Sequence, residues 1–168
     1  MKRLLTFLML CLLTVCCCFT GCSVEKDDLN RSQEITLDEF KQILSSLNYD
    51  VDTYLTVECE ENEKGCALWS YRDESNDIII DYAYGPDAES AHEIYVYDYM
   101  ACYSLEHPVV KGTQEDENES CKAENKKSNG LYIELYRIGR TVLFGCVPAA
   151  DGGKEKLIHT MQCLRKID

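Results

Sequence analysis

Two apolar runs near the C-terminus, LYIELYRI at residues 131–138 and TVLFGCV at residues 141–147, are separated by Gly139 and Arg140. The first run alternates between two sets of side chains, namely Leu131, Ile133 and Leu135 against Tyr132, Glu134 and Tyr136. Alternation with a period of two is typical of a β-strand with one apolar face. The two runs therefore predict a β-hairpin that turns at Gly139 and Arg140.

The tyrosines of this strand belong to a wider excess, because the chain has 11 Tyr against 4 Phe. Tyrosine combines a large contact surface with a polar tip, which suits surfaces that bind proteins or glycans. If helices cover only the aliphatic side of the sheet, the opposite face is open. We therefore predict Tyr132, Glu134 and Tyr136 as binding residues, and the alternative is an ordinary solvent-exposed face.

The remaining strands and helices are predicted from composition and spacing. Aromatic and β-branched residues predict three further strands, at residues 54–58, 67–72 and 77–84. Thr36 and Glu39 have the spacing of a capping box, which predicts a helix over residues 36–47. A second helix is predicted over residues 87–106, whose centre also carries strand-forming residues, and a third helix follows Gly153.

The polar stretch at residues 111–130 is predicted to be a mobile exposed loop. The order of elements is then α-β-β-β-α-β-β-α. This order predicts an α+β fold, with an antiparallel sheet of about five strands and helices packed mainly on one face. The length of the chain, 168 residues, fits one such domain, which we place at residues 35–168.

The N-terminus has the pattern of a secretory signal. Lys2 and Arg3 precede sixteen residues without a charge, Leu4 to Phe19, and the small pair Thr20-Gly21 ends the run. This run is short for a transmembrane helix, so residues 1–21 are predicted to be a signal peptide. An uncleaved signal anchor is the alternative.

The end of the signal, Phe19-Thr20-Gly21-Cys22, resembles the lipobox of bacterial lipoproteins. In that family the cysteine is alkylated with diacylglycerol and the signal is cut just before it. The resemblance therefore implies lipidation at Cys22, a lipid bilayer as partner and a location on the extracytoplasmic face of the cell membrane. Residues 22–34 are polar and are predicted to form the tether. From residue 35 onward the arrangement is also similar to small Gram-positive surface lipoproteins of unknown function, which implies no activity.

Six cysteines follow Cys22, an even number in a chain predicted to be exported. Outside the cytosol this number favours disulfide bonds. Cys59 and Cys66 flank a short polar loop between two predicted strands and are the first candidate pair. Helical-wheel positions suggest the other two candidate pairs, Cys102 with Cys146 and Cys121 with Cys163. The alternative is that some of these cysteines are reduced, buried side chains.

The sequence contains no signature of a catalytic, cofactor-binding or metal-binding site, so no cofactor and no metal are predicted. The formal net charge of -13 argues against nucleic acid as a partner. One ionisable residue stands out, because Asp98 falls on the apolar face of its predicted helix, where an unpaired carboxylate is costly. Asp98 is either an acid of tuned pKa or a rim residue that is bonded to a tyrosine or paired with Arg137.

These observations favour a membrane-anchored, non-enzymatic domain that binds a protein, peptide or glycan ligand. An extracytoplasmic enzyme with Asp98 as its acid is one alternative, and a structural component of the cell envelope is another. An open face lined with tyrosines favours the binding domain, whereas a cleft with converging polar groups favours the enzyme.

Overall fold

The computed structural model describes Leu29 and residues 32–59, 65–103, 105, 108–115, 118–125, 130–149 and 152–166. The predicted signal peptide and its lipidation site Cys22 lie outside these residues. Leu29 is fully buried in the hydrophobic core, and the backbone N–H of Gln33 donates a 3.1 Å hydrogen bond to the carbonyl of Arg165. The folded body therefore reaches back to Leu29 and includes residues that the sequence assigns to the tether.

Among the described residues, seven strands form one antiparallel sheet in the order β1-β2-β3-β7-β6-β5-β4. Their bounds are β1 Leu55–Cys59, β2 Ala67–Asp73, β3 Ile78–Tyr84, β4 Pro108–Glu115, β5 Asn118–Asn125, β6 Leu131–Ile138 and β7 Thr141–Pro148. The predicted hairpin is confirmed, because β6 and β7 pair directly across Gly139 and Arg140.

The described residues also form four helices, namely α1 Leu37–Ser46, α2 Val51–Tyr54, α3 Ala88–Tyr103 and α4 Gly153–Leu164. The predicted capping box at the start of α1 is confirmed. The Thr36 hydroxyl accepts a hydrogen bond from the backbone N–H of Glu39, and the Glu39 carboxylate accepts one from the backbone N–H of Thr36. Each side chain satisfies an N–H group that has no partner within the helix.

The prediction of about five strands in the order α-β-β-β-α-β-β-α is wrong. Residues 108–115 and 118–125 form the β4–β5 hairpin, so four consecutive strands follow α3. The hydrophobic signal of β5 is weak, because the side chains that it buries among apolar residues are the small Cys121 and Ala123. β4 lies at one edge of the sheet and its residues from Lys111 to Gln114 are exposed, so it lacks the apolar alternation that marks a half-buried strand.

The prediction that helices pack mainly on one face is also wrong. The sheet separates two buried clusters: α1 and α4 contribute Phe40 and Leu157 to one, and α3 contributes Ala91 to the other. Successive side chains of a strand point to opposite faces, and a buried cluster lies on each face, so both sides of β6 are covered. Consequently, every residue of β6 from 132 to 138 is buried.

Candidate functional site

The three predicted binding residues lie inside the protein rather than on an open face. Tyr132, Glu134 and Tyr136 have exposed fractions of 5%, 1% and 0%. They point towards α4, where Arg165 lies 3.9 Å from the centre of the Tyr136 ring, and Lys154 lies 4.8 Å from that of Tyr132. These residues therefore join the sheet to its helical cover, and the prediction of an open binding face is wrong.

Disulfide bonds are absent among the six cysteines that follow Cys22, all of which the structure describes. Cys59 ends β1 and Cys66 directly precedes β2, and these two strands pair as predicted, so the bond between the two cysteines stays a prediction. Cys102, Cys121 and Cys146 share the cluster beneath α3, whereas Cys163 lies on α4 across the sheet. The predicted bond between Cys121 and Cys163 is therefore excluded in this fold, because the sheet stands between them.

A cavity of about 360 Å³ lies between α3 and strands β1, β2 and β3. Its apolar wall includes Leu68 and Ile94, and its described lining contains three acidic side chains and no Lys or Arg. The described lining consists of Cys59, Cys66, Ala67, Leu68, Asp81, Ala83, Ser90, Glu93, Ile94, Tyr97 and Asp98. A concave, largely apolar site with a few convergent polar groups is typical of a small-molecule site.

Asp98 enters this cavity from α3 and is partly buried there. Burial and, to a smaller extent, the nearby charge of Asp81 together raise its pKa to about 6. The alternative of pairing with Arg137 is wrong, because the Arg137 Nε donates a 2.5 Å hydrogen bond to Glu119 instead. The structure therefore excludes the pairing with Arg137 and gives Asp98 a raised pKa, as the first interpretation requires.

Asp81 is the second carboxylate of the cavity, and the sequence analysis missed it. Burial raises its pKa, against the effects of a hydrogen bond from the Ser70 hydroxyl and of the charge of Arg72. Arg72 Nε in turn donates a 3.0 Å hydrogen bond to the Ser70 hydroxyl. A signal was present in the sequence, because Asp81 interrupts the apolar run from Ile78 to Tyr84. A charge inside a buried strand points to a special role at that position.

A cluster of His92, Glu119 and Arg137, in which the carboxylate and the guanidinium are buried, was also missed. The Glu119 carboxylate lies 2.7 Å from Nδ1 of His92 and accepts the hydrogen bond from Arg137. These residues belong to α3, β5 and β6, and the carboxylate is 8% exposed. The cluster therefore attaches the first half of α3 to the sheet.

A second cavity, of about 390 Å³, lies beside Trp69, Tyr84 and Arg140. Its charged groups already pair with each other: Arg140 lies 3.4 Å from a carboxylate oxygen of Glu34 and 5.0 Å from the centre of the Tyr84 ring. In the cavity beneath α3, by contrast, Asp98 is not paired in this way: none of the described basic side chains lowers its pKa. We therefore take the cavity beneath α3, which we call the acidic cavity, as the candidate site.

Within the described residues, no group of three or more His, Cys, Asp or Glu side chains is arranged to hold a metal ion. The same part of the chain has no helix that is both long and apolar enough to span a membrane. Comparison with protein-family models, curated proteins and solved structures gives no match.

Proposed function

We propose that this chain is a lipid-anchored extracytoplasmic binding protein that holds a small organic cation in the acidic cavity. The observation that carries this proposal is the state of Asp98, which lies in a cavity with two further acidic side chains and with no Lys or Arg in its described lining. A carboxylate that loses water without gaining a partner is destabilised. A ligand that brings a positive charge relieves that cost, so the cavity favours cations over neutral and anionic molecules.

The walls of the cavity suggest what else the ligand carries. Leu68 and Ile94 offer an apolar surface to a hydrocarbon chain, and the volume of about 360 Å³ suits a small molecule. Tyr97 stands at the opening with 80% of its surface exposed. An aromatic ring in that position attracts an ammonium group through its π face. We therefore expect an alkylammonium compound, primary or quaternary, rather than a metal ion.

The location rests on the resemblance of residues 19–22 to a lipobox. Two acyl chains on Cys22 suffice for durable anchoring, since each buried methylene contributes about 0.8 kcal/mol. In a bacterial host, Cys22→Ala should abolish globomycin-sensitive processing and partitioning into detergent. A variant that is still processed and partitioned normally contradicts the anchoring.

Ligand binding is tested by thermal unfolding with matched probes. Butylammonium and tetramethylammonium should raise the melting temperature of the protein at pH 7.5, whereas butanol at equal concentration should not. Asp98→Asn should remove this response, and Asp52→Asn, on the exposed surface of α2, should keep it. Equal effects of butylammonium and butanol, or no effect of either cation, would refute the proposal.

An enzyme with Asp98 as its acid is the second candidate, and the pKa of about 6 favours it. A carboxylic acid with a pKa near the working pH is suited to proton transfer. Analysis of the cation after incubation with the protein distinguishes the two candidates. A binding protein returns the bound cation unchanged, whereas an enzyme yields a product that disappears in Asp98→Asn.

A further inference from the structure

Two buried thiols from distant parts of the chain meet beneath α3. Cys102 lies in the last turn of α3 and Cys121 lies in the middle of β5. Both are 0% exposed and belong to the same buried cluster, together with Leu135 of the neighbouring strand. The two thiols are hydrogen-bonded to each other, and the Cys102 thiol also donates a 3.7 Å hydrogen bond to the backbone carbonyl of Asp98.

This contact makes the two thiols chemically unequal. The hydrogen bond from Cys121 lowers the pKa of Cys102, because it stabilises the thiolate. The same bond raises the pKa of Cys121, which keeps its proton. Of the two, Cys102 is therefore the thiol that more readily becomes a thiolate nucleophile, and Cys121 is the thiol that resolves its mixed disulfide.

The other cysteines are less suitable partners for Cys102. Cys146 lies in the same cluster, but Cys102 acts on it only through its charge, whereas Cys121 and Cys102 are joined by a hydrogen bond. Cys163 lies on α4, on the other side of the sheet. Cys59 and Cys66 lie at the ends of β1 and β2, at the lining of the acidic cavity.

We propose that Cys102 and Cys121 form a disulfide bond when the protein meets a small-molecule disulfide, and that this bond fastens α3 to β5. The Cys102 thiolate attacks one sulfur of the oxidant R–S–S–R and expels one thiolate. Cys121 then attacks the Cys102 sulfur of the mixed disulfide and expels the second. The protons of the two cysteines pass to the two leaving groups, so one protein disulfide and two R–SH molecules result.

The reaction requires a small opening of the protein, because neither sulfur is exposed to solvent. The end of a helix opens at a lower cost than the centre of a sheet, so the oxidant reaches Cys102 when the last turn of α3 lifts. Once the oxidant has reacted, closure of α3 brings Cys121 against the mixed disulfide.

Peptide mapping tests the bond on the full chain, purified in detergent and fully reduced. The protein is incubated with oxidised glutathione, remaining thiols are blocked with N-ethylmaleimide, and trypsin is applied without a reducing agent. Trypsin places Cys102, Cys121 and Cys146 in separate peptides, at residues 73–111, 112–122 and 141–154. We expect the first two of these peptides to be linked. A link between Cys102 and Cys146, or blocked thiols at both Cys102 and Cys121, would overturn the proposal.

A pair of variants separates this bond from any other disulfide in the chain. Oxidation should raise the melting temperature of the wild-type protein and of Cys146→Ser by about 10 °C more than that of Cys121→Ser. In Cys121→Ser, Cys102 should end as a glutathione mixed disulfide or a blocked thiol. Equal shifts in all three proteins would show that the bond does not fasten α3 to the sheet.

Discussion

The Tyr132 hydroxyl group donates a hydrogen bond of 2.6 Å to Oε1 of Glu134, and both side chains are buried. Tyr136 donates a second bond, of 2.9 Å, to Oε2 of the same carboxylate. The two tyrosines therefore satisfy a carboxylate in the core, in a position where an unpaired charge is costly. The residues that the sequence marks for binding act in stability instead.

Removing one of these hydroxyl groups should destabilise the protein. Tyr136→Phe keeps the ring but leaves Oε2 of Glu134 short of a donor, so we expect a loss of about 1–3 kcal/mol. The measurement is the free energy of unfolding in urea at pH 7.5. Tyr97→Phe is the control, because Tyr97 is 80% exposed and should change stability by no more than about 0.5 kcal/mol. Equal effects of the two substitutions would contradict the structural role of Tyr136.

Two carboxylates of β5 allow a comparison of buried and exposed ion pairs. The side chain of Glu119, which pairs with Arg137, is 8% exposed, whereas that of Glu124, which pairs with Lys154, is 37% exposed. Glu119→Gln leaves the guanidinium buried without its charge partner and should cost about 3–5 kcal/mol. Glu124→Gln should cost about 1 kcal/mol or less. Urea unfolding of both variants tests this order, and a larger loss in Glu124→Gln would contradict it.

The parts of the fold that the sequence predicts correctly are those with strong local signals. The β6–β7 hairpin has apolar alternation on one strand and a glycine in its turn, where Gly139 adopts φ +56°. The start of α1 has both residues of a capping box. In each case neighbouring residues determine the geometry, so no distant contact is needed to predict it.

The parts that the sequence misses depend on distant contacts. β5 buries Cys121 and Ala123 beneath α3, but such small side chains give little hydrophobic contrast along the chain. The role of Tyr132 is ambiguous for a similar reason, since alternation separates two faces without showing whether a helix covers each of them. α4, which follows in sequence, covers the tyrosine face. That packing decides the orientation of the whole strand.

Gly145 allows a test of how closely α4 approaches β7. A Cβ atom at this position would lie 2.6 Å from Cδ1 of Leu157, which is nearer than two carbon atoms can pack. Gly145→Ala should therefore cost about 1–3 kcal/mol in unfolding free energy. Leu157→Ala alone should cost about 2–5 kcal/mol through the cavity that it leaves.

The double variant Gly145→Ala/Leu157→Ala completes this test. The added methyl group then occupies space that the leucine has vacated, so the double variant should lose less than the sum of the two single losses. All four proteins are compared by urea unfolding. Strictly additive losses would show that the two side chains do not compete for the same space.

The last prediction concerns the pH dependence of stability, which Asp98 should dominate near pH 5. Its pKa rises from 3.8 in the unfolded chain to about 6 in the folded protein. Between these values the folded state binds more protons than the unfolded state, so stability falls as pH rises from about 4 to 6. Water in the open cavity screens part of the effect, and we expect a loss of order 1–2 kcal/mol.

The variant Asp98→Asn tests this prediction. Its side chain carries no charge at any pH and should escape the loss, so the variant should be more stable than the wild-type protein at pH 7.5 but not at pH 4. The measurement is urea unfolding across this range, with Asp52→Asn as the exposed control. Parallel curves for Asp98→Asn and the wild-type protein would contradict the raised pKa. They would also remove the electrostatic reason for a cation in the acidic cavity.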